Sequence, residues 1–466
     1  MEPLNDSSSY KDSVSTISSQ GKRVWLYPKR PKGRFTTART VVAIILILIL
    51  VGTPFIKVHG HPLMLFNLLA REFIIFGLAF GPYDFAILDV GFIAFAIFVI
   101  LFTAIFGRIF CGWICPQTIF IEMVFRKIEY WIEGDFRKQI TLDKSDWTFE
   151  KYQKKIFKHT IFFFLSFVVA NILLEWVIGI DELYKIITVP PGQHLSGFIA
   201  ITLFSGLFYF IFSRFREQAC TVVCPYGRLQ GVLLDKNSLV VAYDDVRGEP
   251  RGKIKKAEER TSGDCIDCKL CEDVCPTGID IRNGIQLECV NCTACIDVCD
   301  EVMEKVKKPR GLIRYDSLQG IKDRIRFSVT PRIISYSVIL VLLISLFSYL
   351  IVTREDIEVN ILRTPGMLYQ DQPDEKISNL YNFNIVNKTF EPVAVSLKIK
   401  NIQAEIKILG NDLDLTPLEV EEGKFMIIAD KKVFTKLNTT ILIGVYRNGK
   451  EITSFKTSFL SNNKLK

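Results

Sequence analysis

The sequence predicts a multi-domain membrane protein with three parts. These are an α-helical transmembrane bundle of about five spans, a cysteine-rich α+β module, and a C-terminal immunoglobulin-like β-sandwich. Three observations carry the prediction. Apolar runs of roughly twenty residues recur along the chain, the length a helix needs to cross a hydrocarbon core about 30 Å thick. All twelve cysteines fall into four tight groups. From about Glu355 the apolar period changes from helical to alternating.

The spans come first. Val41 to Val58, Phe85 to Phe106, Ile161 to Ile180, Leu195 to Phe212 and Ile333 to Val352 are each long and apolar enough. Pro331 suits the first turn of the last one. Pro62 to Phe80 is also apolar, but Arg71 and Glu72 sit at its centre, each costing about 2.5–3.5 kcal/mol at a bilayer midplane. Counting it as a span would also put the Lys/Arg-rich stretch from Arg108 to Lys158 outside, against the positive-inside rule. It is therefore expected to be an interfacial or re-entrant segment. With five spans, the N-terminus, the 107–158 loop and the 214–330 segment face the cytoplasm, and the 353–466 tail lies on the periplasmic side. Residues 1–37 form an N-terminal tail, of which Met1 to Gly21 is Ser- and Asp-rich and expected to be disordered. The four-span membrane region is 38–213, and 331–352 is the fifth helix.

The 466 residues are 49% hydrophobic and carry a net charge of +8. The basic residues concentrate around the apolar runs, which reads as membrane orientation and contact with lipid rather than nucleic-acid binding. Four groups that use every cysteine are not the scatter of a secreted disulfide framework.

Cys265, Cys268, Cys271 and Cys275 spell C-x2-C-x2-C-x3-C, followed by Pro276. Cys289, Cys292, Cys295 and Cys299 repeat the spacing, followed by Asp300. This is the run of bacterial two-cluster ferredoxins, in which the fourth cysteine of each set ligates the other cluster. One [4Fe-4S] cluster is thus expected on Cys265, Cys268, Cys271 and Cys299, and another on Cys275, Cys289, Cys292 and Cys295, in a module over about 258–308. Four-cysteine zinc sites are the alternative, but zinc ribbons pair cysteines across a longer loop. Asp264, Asp267, Glu272 and Asp273 are expected to solvate the surface. Two clusters in one small module pass single electrons.

Two further pairs, Cys111/Cys115 and Cys220/Cys224, form C-x-x-x-C-P units just after apolar runs. FGRIFCGWICP and RFREQACTVVCP read as an internal pseudo-repeat. At i and i+4 the thiols of each pair share a helix face, and all four converge if the second and fourth spans pack together. They are candidate redox or copper thiols, since soft thiolate selects Cu(I), zinc or iron–sulfur; a disulfide exchange pair and buried small hydrophobes remain open. His59, His61 and Met64 lie in HGHPLM near a span end, a setting more often incidental than metal-binding. His159 and His194 are assigned no role.

In the tail, Val393 to Lys400, Ala404 to Gly410, Thr439 to Tyr446 and Thr453 to Leu460 alternate as half-buried strands. Asn448–Gly449 marks a hairpin. Seven or so short strands suggest the sandwich, and with no Cys or His after Cys299 its expected role is docking or spacing.

CGWICPQTIFIEMVFRKIEYWIEGD, CTVVCPYGRLQ, YDDVRGEPRG and the ferredoxin run from Cys265 to Tyr315 closely resemble the cytochrome c oxidase accessory proteins FixG, RdxA and CcoG, from about Trp25 to the C-terminus. REFIIFGLAFGPYD also resembles the family's stretch after the first span, but GPYD departs from the expected Trp-Pro-Gln-Asp. The resemblance implies a multi-pass protein of the bacterial inner membrane that reduces Cu(II) to Cu(I) for a cbb3-type cytochrome c oxidase. Copper would be its substrate, and its partners the oxidase assembly machinery or a copper chaperone, an unidentified electron donor, and a second copy in a homodimer. The ferredoxin cysteines would ligate the clusters, with copper contact or electron exit at Cys111, Cys115, Cys220 and Cys224. A quinol-linked relay to a partner reductase and a non-redox assembly scaffold are the alternatives. No nucleotide fingerprint stands out, so NAD(P)H would need a separate partner.

Overall fold

A computed structural model describes residues 16–17, 20, 22–58, 60–68, 71–190, 192–253, 263–324, 329–410, 413–434, 436–447 and 449–461. It divides into two units, 1–55 with 89–346 and 56–88 with 347–466. Most of the expected disordered tail, with His59 and Asn448, lies outside the described residues.

Among the described residues, five helices are long and apolar enough to cross a membrane: Arg34–Phe55, Pro82–Phe106, Phe149–Ile178, Leu195–Phe215 and Pro331–Val352. They overlap the five apolar runs, and the chain is a multi-pass membrane protein. The third begins at Phe149, well before the apolar run at Ile161, because the Thr148 hydroxyl caps it through the Lys151 amide. Its extra turns carry lysines that meet the preceding loop. That loop is helical too, with Arg126–Ile132 leading to Phe136–Lys144. Residues 22–33 are not a free tail. The Lys29 amide donates to the Asp273 carbonyl at 2.7 Å, and the Tyr130 hydroxyl donates to the Pro28 carbonyl at 2.9 Å.

Where these elements meet, ten charges are paired, many of them buried. Arg126 lies between Glu122 at 3.2 Å and Glu217 at 3.6 Å, and Arg23 also reaches Glu217, at 3.1 Å. Glu129 pairs with Arg216 and Lys158, Glu133 with Lys155 and Lys158, and Asp143 with Lys155. Among the described residues these pairs join five acids to five bases. Burial pushes the Glu129 carboxyl pKa up, but Arg216, Lys158 and Arg126 outweigh it and hold it at about 2.

The cysteine-rich module is α+β. Val240–Tyr243 pairs antiparallel with Ile313–Asp316, Tyr243 opposite Ile313. Helices Leu270–Asp273 and Ala294–Lys305 pack against that ribbon through Val241, Ile296, Met303, Leu312 and Ile313.

In the second unit, Pro62 to Phe80 forms no membrane-spanning helix, as expected, and its fold is β rather than helical. It contains a three-stranded antiparallel meander, Met64–Asn67, Glu72–Ile75 and Leu78–Phe80. Arg71 and Gly77, at φ of 58° and 78°, belong to its turns, so the charges interrupt no helix. Asp84 is buried between Arg354 at 2.9 Å and Lys388 at 2.7 Å, tying this segment to the β-domain. The segment therefore belongs with the tail rather than with the 38–213 membrane region.

The tail is a two-sheet sandwich. One sheet runs Glu405–Leu409, Val420–Asp430, Lys376–Asn387, Ile357–Arg363, with Gln370–Gln372 beside Lys376–Asn387. The other runs Asp414–Leu415, Val393–Ile399, Asn438–Arg447, Lys450–Leu460. Alternate residues Tyr381, Phe383 and Ile385 face the core, as do Ile441, Ile443 and Val445. The Tyr381 hydroxyl donates to the Ser458 carbonyl at 2.9 Å, joining the sheets. Gly449 at φ 80° turns the hairpin that pairs Arg447 with Lys450.

Replacing Glu129→Gln leaves the buried Arg216 cation without its counter-charge and Lys158 with Glu133 alone, and is expected to cost about 3–5 kcal/mol, read as a lower unfolding midpoint in detergent. A carboxyl held below its unfolded value stabilises fully above that value, about pH 4.3. Its contribution fades as pH falls toward 2. The gap between wild type and the variant should therefore be full at pH 7 and narrow through that window.

Candidate metal centres

The two ferredoxin runs adopt the same backbone. Asp267 and Lys269 flank Cys268 at φ 53° and 58°, and Asn291 and Thr293 flank Cys292 at φ 53° and 65°. Left-handed non-glycine residues are costly and gather at functional sites. Here they curl each chain around its central cysteine, and Lys269 and Thr293 then open the following helices. The copies differ after the fourth cysteine. The first helix stops at Asp273, so Pro276 is tolerated beyond Cys275. The second continues through Cys299 to Lys305, where proline would break it. Asp300 stands there instead, accepting from the Gly311 amide at 2.9 Å and pairing with Arg34 at 3.2 Å.

The fold crosses the fourth cysteines. Cys265, Cys268, Cys271 and Cys299 line one cavity, and Cys275, Cys289, Cys292 and Cys295 line another, with Cys271 on the wall of both. Among the described residues no three Cys, His, Asp or Glu side chains are placed to hold a single ion; the sulfurs instead ring two cavities otherwise walled largely by apolar side chains. Such all-thiolate sets fit cubane clusters. The Asn291 amide donates to the Cys289 sulfur and the Ala294 amide to the Cys292 sulfur, contacts of the kind that tune a cluster's potential. Of the nearby acids, Asp264 pairs with Arg247 and Lys308, and Asp267 with Arg282. They brace the loops as well as solvate them.

The C-x-x-x-C-P units also repeat in conformation, though not as an unbroken helix. The Cys115 amide donates to the Phe110 carbonyl and the Cys224 amide to the Ala219 carbonyl, each five residues back and each at 2.9 Å. Cys115 (φ −57°, ψ 121°) and Cys224 (φ −63°, ψ 111°) then turn extended, and Pro116 and Pro225 start new helices. This corrects the simple i, i+4 helix face. A residue before proline is pushed out of the helical region, so the second thiol of each pair leaves the first one's helix. Wide π-type turns at Phe120–Phe125, Ile211–Phe215 and Ala219–Val223 surround the pairs; such turns recur at functional sites.

The pairs do come together. Cys220 lines a small cavity with Thr118, three residues after Cys115, and Gly227 lies against Arg108, the Cys220 carbonyl and Cys224. Burial pushes Cys111 up to about 12, against the pull of Arg108, and Cys220 likewise to about 12. Cys111 donates to Gln230 Oε1 at 2.9 Å.

This thiol group abuts the second cavity's loop. A Cβ on Gly112 would lie 2.5 Å from the Val290 carbonyl oxygen and 2.8 Å from that of Asn291. Only glycine fits there. The buried Arg108 donates to the carbonyls of Leu287 and Gly227, and at 3.3 Å to that of Cys289. Trp113 Nε1 donates to the Tyr315 hydroxyl, which donates to the Asn291 carbonyl, both at 3.1 Å. Cys220 in turn shares a small cavity with Pro276, Thr277 and Val290. Arg108 and Tyr315 lie within quoted motifs, but no motif gave them a role; both act through backbone carbonyls that only folding brings near.

The first spanning helix is held from the same module. Asp297, between Cys295 and Cys299, accepts from the Phe35 amide at 3.0 Å and from the Thr36 amide and hydroxyl, each at 2.7 Å. This carboxylate caps a helix N-terminus whose own N-cap, Gly33, has no side chain. Any Cβ at Gly33 would collide with it. His61, by contrast, stacks on Phe390 with centroids 4.0 Å apart, and Met64 sits in a strand opposite Ile75.

Three family models match the chain. One described as a 4Fe-4S dicluster domain covers residues 215–318, one described as a 4Fe-4S binding domain covers 88–139, and the Ig-like fold at the C-terminus of FixG covers 347–462. Protein RdxB of Cereibacter sphaeroides is 33% identical over 81% of this chain and 82% of its own. Nitrogen fixation protein FixG of Rhizobium meliloti is 30% identical over 82% and 80%. Protein RdxA of Cereibacter sphaeroides is 34% identical over 64% and 63%.

Removing the shared cap by Asp297→Ala is expected to cost about 1–2 kcal/mol. It should appear as faster hydrogen exchange at the Phe35 and Thr36 amides, with iron content unchanged.

Proposed function

The chain belongs to the FixG/RdxA family of iron–sulfur membrane proteins, and from that premise we propose that it reduces Cu(II) to Cu(I) for assembly of a cbb3-type cytochrome c oxidase. Its 4Fe-4S domains make it an electron-transfer protein. The two clusters, when bound, supply single electrons; Cys265, Cys268, Cys271 and Cys299 would hold one, and Cys275, Cys289, Cys292 and Cys295 the other. The observation that carries the reading is the contact of Gly112 with the Val290–Asn291 backbone. It brings Cys111 and Cys115 against the loop of the second cluster, so an electron leaving that side meets soft sulfur. Each Cu(II) takes one electron and no proton, and the product is the softer ion that thiolate prefers. The electron comes from a separate one-electron donor. On this reading the ferredoxin module faces the cytoplasm and the β-domain lies outside, which the Lys/Arg-rich segments around the spans support.

The test uses full-length protein purified without oxygen, reduced with dithionite, freed of excess reductant and titrated with Cu(II). Loss of the Cu(II) paramagnetic signal, with one Cu(I) captured per electron stored, is the expected result. Reduced, cluster-loaded protein that leaves Cu(II) unchanged would overturn the copper assignment. In that case, reduction of the clusters by a quinol would favour a relay to a partner reductase. Undisturbed oxidase maturation with folded cluster-cysteine variants would instead favour a scaffold.

A further inference from the structure

We propose that Cys111, Cys115, Cys220 and Cys224 together hold a third iron–sulfur cubane, one thiolate at each corner, beside the second ferredoxin cluster. This goes beyond the copper reading and does not depend on which acceptor the protein serves.

Counting is the first argument. The 4Fe-4S binding domain matched over 88–139 contains only two cysteines, Cys111 and Cys115. A cubane is held by four, so two more must come from elsewhere. The dicluster domain matched over 215–318 contains ten, the eight of the ferredoxin runs plus Cys220 and Cys224. Eight cysteines serve two clusters, and the remaining four from the two matches make one further set.

Geometry is the second. Although about a hundred residues separate the pairs, Cys111 bonds Gln230 at 2.9 Å in the helix that Cys224 and Pro225 open, and Cys220 lines one cavity with Thr118, three residues after Cys115. Both pairs are set by the same device, an amide-to-carbonyl bond five residues back and an extended cysteine before proline. That device takes the second cysteine of each pair off the helix that carries the first. Four thiolates from two such pairs match the four corners of a cubane, where one linear Cu(I) ion would use only two.

Charge is the third. A cubane with four thiolates carries net negative charge in either of its usual states, and burying it calls for a nearby cation and donors. Arg108 is buried, approaches Cys111, and is fixed by the Leu287, Cys289 and Gly227 carbonyls. The Thr118 hydroxyl bonds Cys220. Arg108 thus stands between the quartet and the Cys289 loop, a placement that favours electrons passing from the second cluster to the third centre.

The experiment counts metal in anaerobically purified full-length protein by iron and acid-labile sulfide analysis with Mössbauer spectroscopy. About 12 iron and 12 sulfide per chain are expected, four per centre. The double variant Cys111→Ser/Cys220→Ser should fall by about 4 of each while keeping the paired-cluster paramagnetic signal of the ferredoxin module. Wild type with about 8 iron, with copper or a disulfide at these four cysteines, overturns the proposal. Should the variant not fold, cysteine alkylation of the wild type decides between the two. Protection of the four thiols until iron is chelated supports the centre, and immediate labelling or a mass loss of one disulfide sinks it.

Discussion

At Gly112 two stretches of backbone approach so closely that no side chain fits between them. One stretch is the short helix Ile109–Trp113 that carries Cys111, the other the left-handed loop around Cys292. Close approach without a Cβ lets sulfur-bearing loops from different parts of the chain lie side by side. Arg108 and the Trp113–Tyr315–Asn291 relay then hold them with hydrogen bonds to carbonyls, which a buried loop must satisfy in any case. Shift this contact and the C-x-x-x-C-P thiols lose their neighbour.

The helices that carry those thiols are held by charge rather than by close-packed apolar side chains alone. Phe125 stacks on Phe212 with centroids 4.4 Å apart, yet around that stack five carboxylates and five cations are paired. Buried pairs of this kind are weak sources of net stability but strong sources of register, because an arrangement that leaves one charge alone is heavily penalised. The same logic acts at Asp297, where one carboxylate replaces the missing N-cap of the first spanning helix. It acts again at Asp84 in the β-rich unit, between Arg354 and Lys388. Each anion joins pieces of chain far apart in sequence.

Iron–sulfur chemistry asks little of a protein beyond thiolates at set positions and control of the charge around them. The ferredoxin module meets the first need with a repeated left-handed turn, whose energetic cost is borne by Asp267, Lys269, Asn291 and Thr293. It meets the second with amide donors to Cys289 and Cys292. The membrane-side loops meet the first need differently, through proline, which forces Cys115 and Cys224 out of helical conformation. Two unrelated local devices thus place sulfur at defined points, and both act within a few residues of each cysteine.

That locality explains how much could be read in advance. Spacing alone exposed the ferredoxin runs, the C-x-x-x-C-P pairs, the five spans and the alternating strands after Glu355, since each depends on neighbours in sequence. The pairing of Cys299 with the first set followed from reach. What spacing left open was the fold of Pro62 to Phe80, which it kept out of the spans but could not read as a meander, and what it misplaced were the thiol pairs, assumed to share a helix face. In both cases the deciding residues, Arg71 and Gly77 at turns and the prolines after Cys115 and Cys224, act through backbone angles that a count of apolar residues does not register. Only the tertiary structure decided that Gly112 meets Val290, that Arg108 spans three carbonyls and that Asp297 caps a distant helix. Those contacts join residues a hundred or more positions apart, and no local pattern encodes which carbonyl a buried guanidinium will find.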